Sequence, residues 1–262
     1  MTEEKEEAMR EFTTGELEVR VFEDEAAMGA TAAVDAAARL RQAVAERGEA
    51  RVVIATGKSQ YAFTDALVAQ DVPWGSVTVF HMDEYLGIDA DHPASFQRWI
   101  RERIEERVHP ARVEYISGLG DPQAEAARYE ALLRSAPLDL VCMGVGENGH
   151  LAFNEPFDAD FSDERWARVV TLTPESRRQQ VGEGHFPSID DVPAQAISLT
   201  IPALTSARAI QVCAPEGRKA QAVRATLHDA ISEAVPSTYL RSTPGATLYL
   251  DAASASGLDS AA

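Results

Sequence analysis

The chain has 262 residues, 45% hydrophobic and 25% charged, enough to bury a substantial core within an ordinary globular composition. Its formal net charge of -18 argues against a general nucleic-acid or anionic-membrane binder, because both functions normally use a basic surface. A small phosphorylated ligand stays compatible with that charge, since a pocket can be basic inside an acidic shell.

The chain starts "MTEEKEEAMR", charged and without an apolar signal segment, and no membrane-length apolar run follows it. Cytoplasmic residence is therefore expected. "LEVRVF" (Leu17 to Phe22) reads as extended, and an alanine-rich helical stretch runs from about Asp24 to Glu46. "RVVIATG" (Arg51 to Gly57) has a buried-strand pattern ending in glycine, with a helix next through "SQYAFTDALVAQ". "SVTVFHMDEY" (Ser76 to Tyr85) repeats the arrangement, with polar residues at the end of a β-rich run. Pro93 stands where a helix can begin, and "ASFQRWIRERIEERV" has helical apolar spacing. "LDLVCMGVG" (Leu138 to Gly146) supplies another strand, and "WARVVTLT", "AISLTI", "AIQVCA" and "ATLYLD" supply later ones. A helix is expected from about Gly217 to Asp229. Cys142 and Cys213 both lie in apolar strand-like runs and read as buried thiols rather than a disulfide.

Strands alternating with helices predict an α/β fold with a mainly parallel central sheet flanked by helices. The acidic start and the tail "SASGLDSAA" are expected to be loose. Three polar clusters, Thr56 to Ser59, His81 to Tyr85 and Gly144 to Glu155, directly follow predicted strands. In open α/β folds such positions meet at the carboxyl edge of the sheet, where ligands bind.

Each cluster has a functional and a purely structural reading. In "ATGKSQ", Thr56, Gly57, Lys58 and Ser59 form either an anion-holding strand-to-helix turn or a plain capped turn. The pattern is not a P-loop. In "FHMDEYLG", Asp83 and Glu84 are consecutive on an extended chain and so point in opposite directions; only one should face a pocket. That carboxylate is either a base for a carbon-bound proton or a turn and cap residue. In "MGVGENGHLAFNEP", Gly144, Gly146 and Gly149 allow close backbone approach, and His150 is a proton shuttle or a core histidine. Glu155 can orient that imidazole, while Asn148 and Asn154 add uncharged hydrogen-bonding groups. The six histidines show no compact ligand motif, so no metal site is read. Lysines are scarce, only Lys5, Lys58 and Lys219, and Lys219 opens a helix just after a strand. It is either a solvated helix lysine or a phosphate counter-charge.

Together these residues resemble the glucosamine-6-phosphate deaminase family, related more distantly to the 6-phosphogluconolactonases. The resemblance rests on "MDEY" (Met82 to Tyr85), "GxGxNGHxAFNEP" (Gly144 to Pro156) and His92, Pro93 and Ser95, and extends from about Phe22 to Asp251. It implies a single α/β domain over residues 1–262 with a Rossmann-like sheet, and no cofactor or metal. The implied activity converts glucosamine 6-phosphate to fructose 6-phosphate and ammonia. Alternatives are another amino sugar phosphate as substrate, a lactonase-like hydrolase, or a non-catalytic sugar-phosphate sensor. By resemblance, Asp83 is the base at C2, His150 the ring-opening acid/base, Glu155 its supporting carboxylate, and Asn148 stands where relatives have Asp or Asn. Thr56, Gly57, Lys58, Ser59 and Lys219 match the phosphate-binding positions. Gly182 falls at the register of a family phosphate-binding arginine, with Arg177 and Arg178 as nearby substitutes. The implied partner is a small amino sugar phosphate, with no nucleic acid or membrane, and the helical surfaces are compatible with a homo-oligomer.

Overall fold

The computed structural model describes residues 8–156, 158–182, 184 and 186–258. An eight-stranded sheet has the order β1-β2-β11-β10-β7-β3-β4-β6. Its strands are β1 (Arg10–Thr14), β2 (Leu17–Phe22), β3 (Ala50–Ile54), β4 (Val77–His81), β6 (Arg112–Glu114), β7 (Leu140–Met143), β10 (Ala209–Cys213) and β11 (Ala246–Asp251). All pairings are parallel except the edge hairpin β1–β2. A second, antiparallel sheet joins β5 (Asp83–Tyr85), β9 (Gln195–Leu199) and β8 (Ala167–Thr171).

The inner strands are buried on both faces, as in β3 (ARVVI) and β7 (LVCM), which is why they read as continuous apolar runs rather than alternating ones. Helix α1 (Glu25–Arg47) covers one face. Asp24 caps its start by accepting from the Ala27 N–H at 2.9 Å, and Gly48 ends it at φ 81°. Its alanine face lets the backbone approach closely: a Cβ on Gly29 would lie 2.7 Å from the Ala62 carbonyl carbon in α2 (Tyr61–Leu67). The same face carries a helical run made of α3 (Phe96–Ile100), a π-helical turn (Arg101–Glu105) and α4 (Glu106–Val108). The other face carries α5 (Pro122–Arg134) and α8 (Ala220–His228), with buried Ala126, Tyr129, Leu133, Val223 and Leu227. Asp121 caps α5 with Pro122 in its first turn. In sequence, α6 (Pro174–Gly182) lies between β8 and β9, and α7 (Ile201–Leu204) follows β9. A third apolar cluster, with Tyr85, Phe96, Phe153 and Phe186, joins that sheet to the main body.

The alternating α/β expectation therefore holds, and Leu17–Phe22 forms a strand as read. Three features differ from the sequence reading. The run Ser76 to Tyr85 is two strands in different sheets, because the chain turns at Met82, where the Met82 carbonyl accepts from Leu199 N. The helix expected near Pro93 starts at Phe96, capped by Ser95. Part of the tail expected to be loose is packed: Ser254 is fully buried, and Ala255 and Leu258 join the core. Residues 1–7 and 259–262 lie outside the described residues. Cys142 and Cys213 are buried free thiols in β7 and β10.

Candidate active site

Strands β3 and β7 are neighbours from which the chain winds in opposite directions, so a crevice opens at their carboxyl ends. All three polar clusters reach it. The pocket is lined by the turn after β3 (Thr56, Gly57, Lys58, Ser59), by Asp83, and by Gly144, Gly146 and His150 after β7. Lys219, in the short turn between β10 and α8, completes the charged lining and is 3% exposed.

Alternation along β5 turns Asp83 into the pocket and Glu84 away from it, as the extended-chain reading requires. Asp83 is 7% exposed, and burial, followed by the charge of Glu84, pushes its carboxyl up to about 8. Its backbone is held from behind. His81 Nδ1 lies 2.8 Å from the Asp83 carbonyl, and Ile116 N–H donates to His81 Nε2 at 2.9 Å. The second bond makes Nε2 an acceptor, so Nδ1 carries the proton and donates to Asp83. Burial lowers His81 to about 4, so this imidazole is neutral scaffold rather than a proton carrier at neutral pH.

The loop after β7 folds around His150. The Gly146 N–H donates to the His150 carbonyl, and the imidazole ring fills the place of a Gly146 side chain: a Cβ there would lie 2.3 Å from it. Glycine at 146 is thus a packing requirement. Gly149 takes φ 85°, which favours glycine, and Ala152 takes φ 50° in the pocket wall. Glu155, 1% exposed, places Oε1 3.6 Å from His150 Nδ1. Asn148 ties the two together, donating from Nδ2 to Glu155 Oε2 at 2.9 Å and accepting from the His150 N–H at 3.1 Å. Asn148 and Glu155 form a layer behind the imidazole, outside the pocket lining. Asn154 spends its amide on the carbonyls of Leu151 and Leu199 and is scaffold.

Gly57 adopts φ 106° in the turn after β3. Lys58 is exposed there, with Ser59 and buried Gln60 beside it. Gln60 Nε2 donates to Ser59 Oγ and to the Cys213 carbonyl, tying this turn to the end of β10. Lys219 is placed by its N–H donating to the Glu216 carbonyl, and Glu216 holds φ 78°, a strained value for a non-glycine residue. The Asp251 carboxylate accepts the Glu216 N–H and helps fix that conformation.

Arg177 and Arg178 are not among the pocket-lining residues. The Arg177 guanidinium donates to the carbonyls of Ile189 and Val192, which makes it a brace for the segment after α6. Helix α6 instead lines the pocket with Gln179 and Gln180, and Gln180 Oε1 accepts from the Tyr85 hydroxyl at 2.6 Å. At Gly182 a Cβ would meet nothing within 4 Å. Sequence reasoning missed Gln180, Phe96 and Phe153 as lining residues, because neutral amides and aromatic rings give no signal apart from core patterning. Among the described residues, no group of three His, Cys, Asp or Glu side chains is arranged to hold a metal, and no helix is long and apolar enough to cross a membrane.

A Rossmann-like sheet with a carboxyl, an imidazole and two lysines converging over its switch point defines an α/β enzyme acting on a small polar molecule. The family model for glucosamine-6-phosphate isomerases/6-phosphogluconolactonase matches residues 23–249, and the chain belongs to this family. A glucosamine-6-phosphate deaminase of Exiguobacterium sp. is 35% identical over 205 residues, covering 78% of each chain. One of Streptococcus equi subsp. zooepidemicus is 31% identical over 222 residues, covering 84% of this chain and 92% of that protein. A structure described as a monomeric glucosamine-6-phosphate deaminase superposes with TM-score 0.84 at 29% identity, covering 91% of this chain and 99% of the other. A 6-phosphogluconolactonase of Shewanella baltica superposes with TM-score 0.75 at 20% identity, over 94% and 99% of the two chains, and shares the fold.

Proposed function

We propose that this enzyme isomerises and hydrolytically deaminates glucosamine 6-phosphate, giving fructose 6-phosphate and ammonia. The observation that carries the reading is the buried carboxyl of Asp83 facing the same pocket as His150. Opening a sugar ring needs an acid/base, and moving hydrogen from C2 to C1 needs a second base beside a carbon. A lactone hydrolase needs no carbon base.

The phosphate is held by the Thr56 to Ser59 turn and by Lys219, the groups that supply hydroxyls, backbone N–H and positive charge to this pocket. His150, oriented through Glu155 and Asn148, takes the anomeric hydroxyl proton and protonates the ring oxygen as the C1–O5 bond breaks. Asp83 removes the C2 proton from the open-chain aldehyde and returns it to C1. The electron pair moves through an enolamine, O1 gaining a proton and the amine giving one up, to leave a C1 hydroxyl and a C2 imine. Water adds at C2, the C2–N bond breaks, and ammonia departs with the added proton. Each step is a proton transfer between positioned groups. A base with a raised pKa suits the abstraction, because its proton affinity lies near the working pH.

Ammonia release is measured across glucosamine 6-phosphate, its C4 epimer and unphosphorylated glucosamine, with hydrolysis of 6-phosphogluconolactone alongside. Ammonia from a 6-phosphorylated amino sugar, with little lactone turnover, is expected. Lactone hydrolysis without ammonia release would overturn the reading.

A further inference from the structure

Glu84 is adjacent to Asp83 but belongs to a different environment. Its side chain is fully buried on the side of β5 facing α3. The carboxylate collects four donors: Tyr85 N–H at 2.9 Å, Ser95 Oγ at 2.8 Å, Phe96 N–H at 3.2 Å and Gln97 N–H at 2.9 Å. Among the described residues, no Lys or Arg side chain is paired with it. Its four described donors are dipoles rather than charges, two of them first-turn N–H groups of α3.

This carboxylate fixes residues that line the pocket. The bond to its N–H places Phe96, whose ring lies 4.9 Å from Tyr85 and 6.0 Å from Phe153, centroid to centroid. Tyr85, also held by its N–H, reaches Gln180 with its hydroxyl. The motifs "MDEY" and "HPAS", separate in sequence, therefore meet at one carboxylate.

We infer that Glu84 is a positioning residue for the reaction proposed above: a fixed buried negative charge that holds the Phe96 wall and sets the electrostatic environment of Asp83.

The other groups around Asp83 leave this role to Glu84. His81, behind the strand, is neutral, and the Tyr129 phenol from α5 is pushed well above its usual value by burial. His150, Lys58 and Lys219 share the pocket with Asp83. Glu84 is the acidic neighbour, and its charge adds to burial in raising Asp83. Burial moves Glu84 itself up to about 6, while its four donors pull the other way and keep it ionised at neutral pH. Substrate binding brings an amine and its hydrogen-bonding groups to Asp83, but Glu84 stays sealed behind the strand.

The test follows the Asp83 carboxyl directly, by ¹³C NMR titration of labelled protein with Asp83→Asn as the assignment control, beside the pH profile of kcat/KM. In Glu84→Gln the Asp83 titration and the acid limb of kcat/KM should both move down by about half to one pH unit, the size expected for removing one neighbouring charge in a protein interior. In Glu84→Asp, which keeps the charge but shortens its reach, the limb should stay while KM rises. A Glu84→Gln protein that loses activity at every pH with the Asp83 titration unmoved would reduce Glu84 to a scaffold residue and overturn the inference. Should Glu84→Gln fail to fold, Ser95→Ala decides. It removes one of four donors, so the titration of Glu84 should move up and KM should rise; no movement in either contradicts the assignment. The NMR readout needs no turnover, so failure of the deaminase reading and failure of this inference are separately visible.

Discussion

The carboxyl edge of the main sheet, together with β5 directly after β4, gives the pocket a carboxyl, an imidazole and two lysines, whereas α6 and the aromatic cluster give it amides and rings. The first region is fixed by backbone: short turns after parallel strands, glycines at 57, 146 and 149, and polar anchors such as Gln60 on the Cys213 carbonyl. The second is fixed by side chains, through the Tyr85–Gln180 bond and the packing of Tyr85, Phe96, Phe153 and Phe186. Charge and chemistry thus sit where backbone turns set the position, and shape where side-chain contacts set it. Substitutions in the two regions should fail differently.

Lys219→Ala should show the largest of the effects outside the reacting groups. Losing a charge-assisted contact worth about 1.5–3 kcal/mol predicts a fall in kcat/KM for the phosphorylated sugar of roughly 10–100-fold. Activity on unphosphorylated glucosamine, however weak, should change little. Equal losses on both sugars would move Lys219 out of the phosphate site.

Asp83 also carries a stability signature. Its folded-state pKa is raised, so the stability associated with its neutral form is fully present below its ordinary pKa of 3.8 and is lost as pH rises through about 8. Asp83→Asn removes that loss. The variant should melt higher than the parent at about pH 8, with the advantage vanishing toward about pH 4; identical melting curves across that range would contradict the buried-carboxyl account.

On the wall, Arg177→Ala should cost about 1–2 kcal/mol of stability by releasing the Ile189 and Val192 carbonyls, while kcat/KM stays within about twofold. Chemical denaturation and steady-state kinetics on the same preparation check both halves. A loss of phosphate recognition without a loss of stability would return Arg177 to the site.

Much of the first region was legible in the sequence because polar residues at the ends of apolar strands have one place to go in a parallel sheet. The period of two along an extended chain says that only one of Asp83 and Glu84 faces the pocket, and the family resemblance singles out Asp83. What escaped had physical reasons. The change of sheet at Met82 depends on pairing with β9, more than a hundred residues later, which no local pattern in Ser76 to Tyr85 announces. Helix α5 lies in a stretch the reading left unassigned, although Asp121 and Pro122 open it with a recognisable cap. Gln180 carries neither charge nor a motif, and its role depends on a hydroxyl 95 positions earlier in the chain. Glu84 was visible as a carboxylate, but three of its four donors, Ser95, Phe96 and Gln97, come from a loop and helix start that only folding brings to it.

The central claim is that Asp83 takes the C2 proton, and solvent hydrogen exchange at C2 of glucosamine 6-phosphate tests it most directly. With folded Asp83→Asn, exchange and ammonia release should fall together by ~10²–10⁴-fold, the range of a lost general base, while the bound phosphate is retained. Near-normal exchange in that variant would contradict the account.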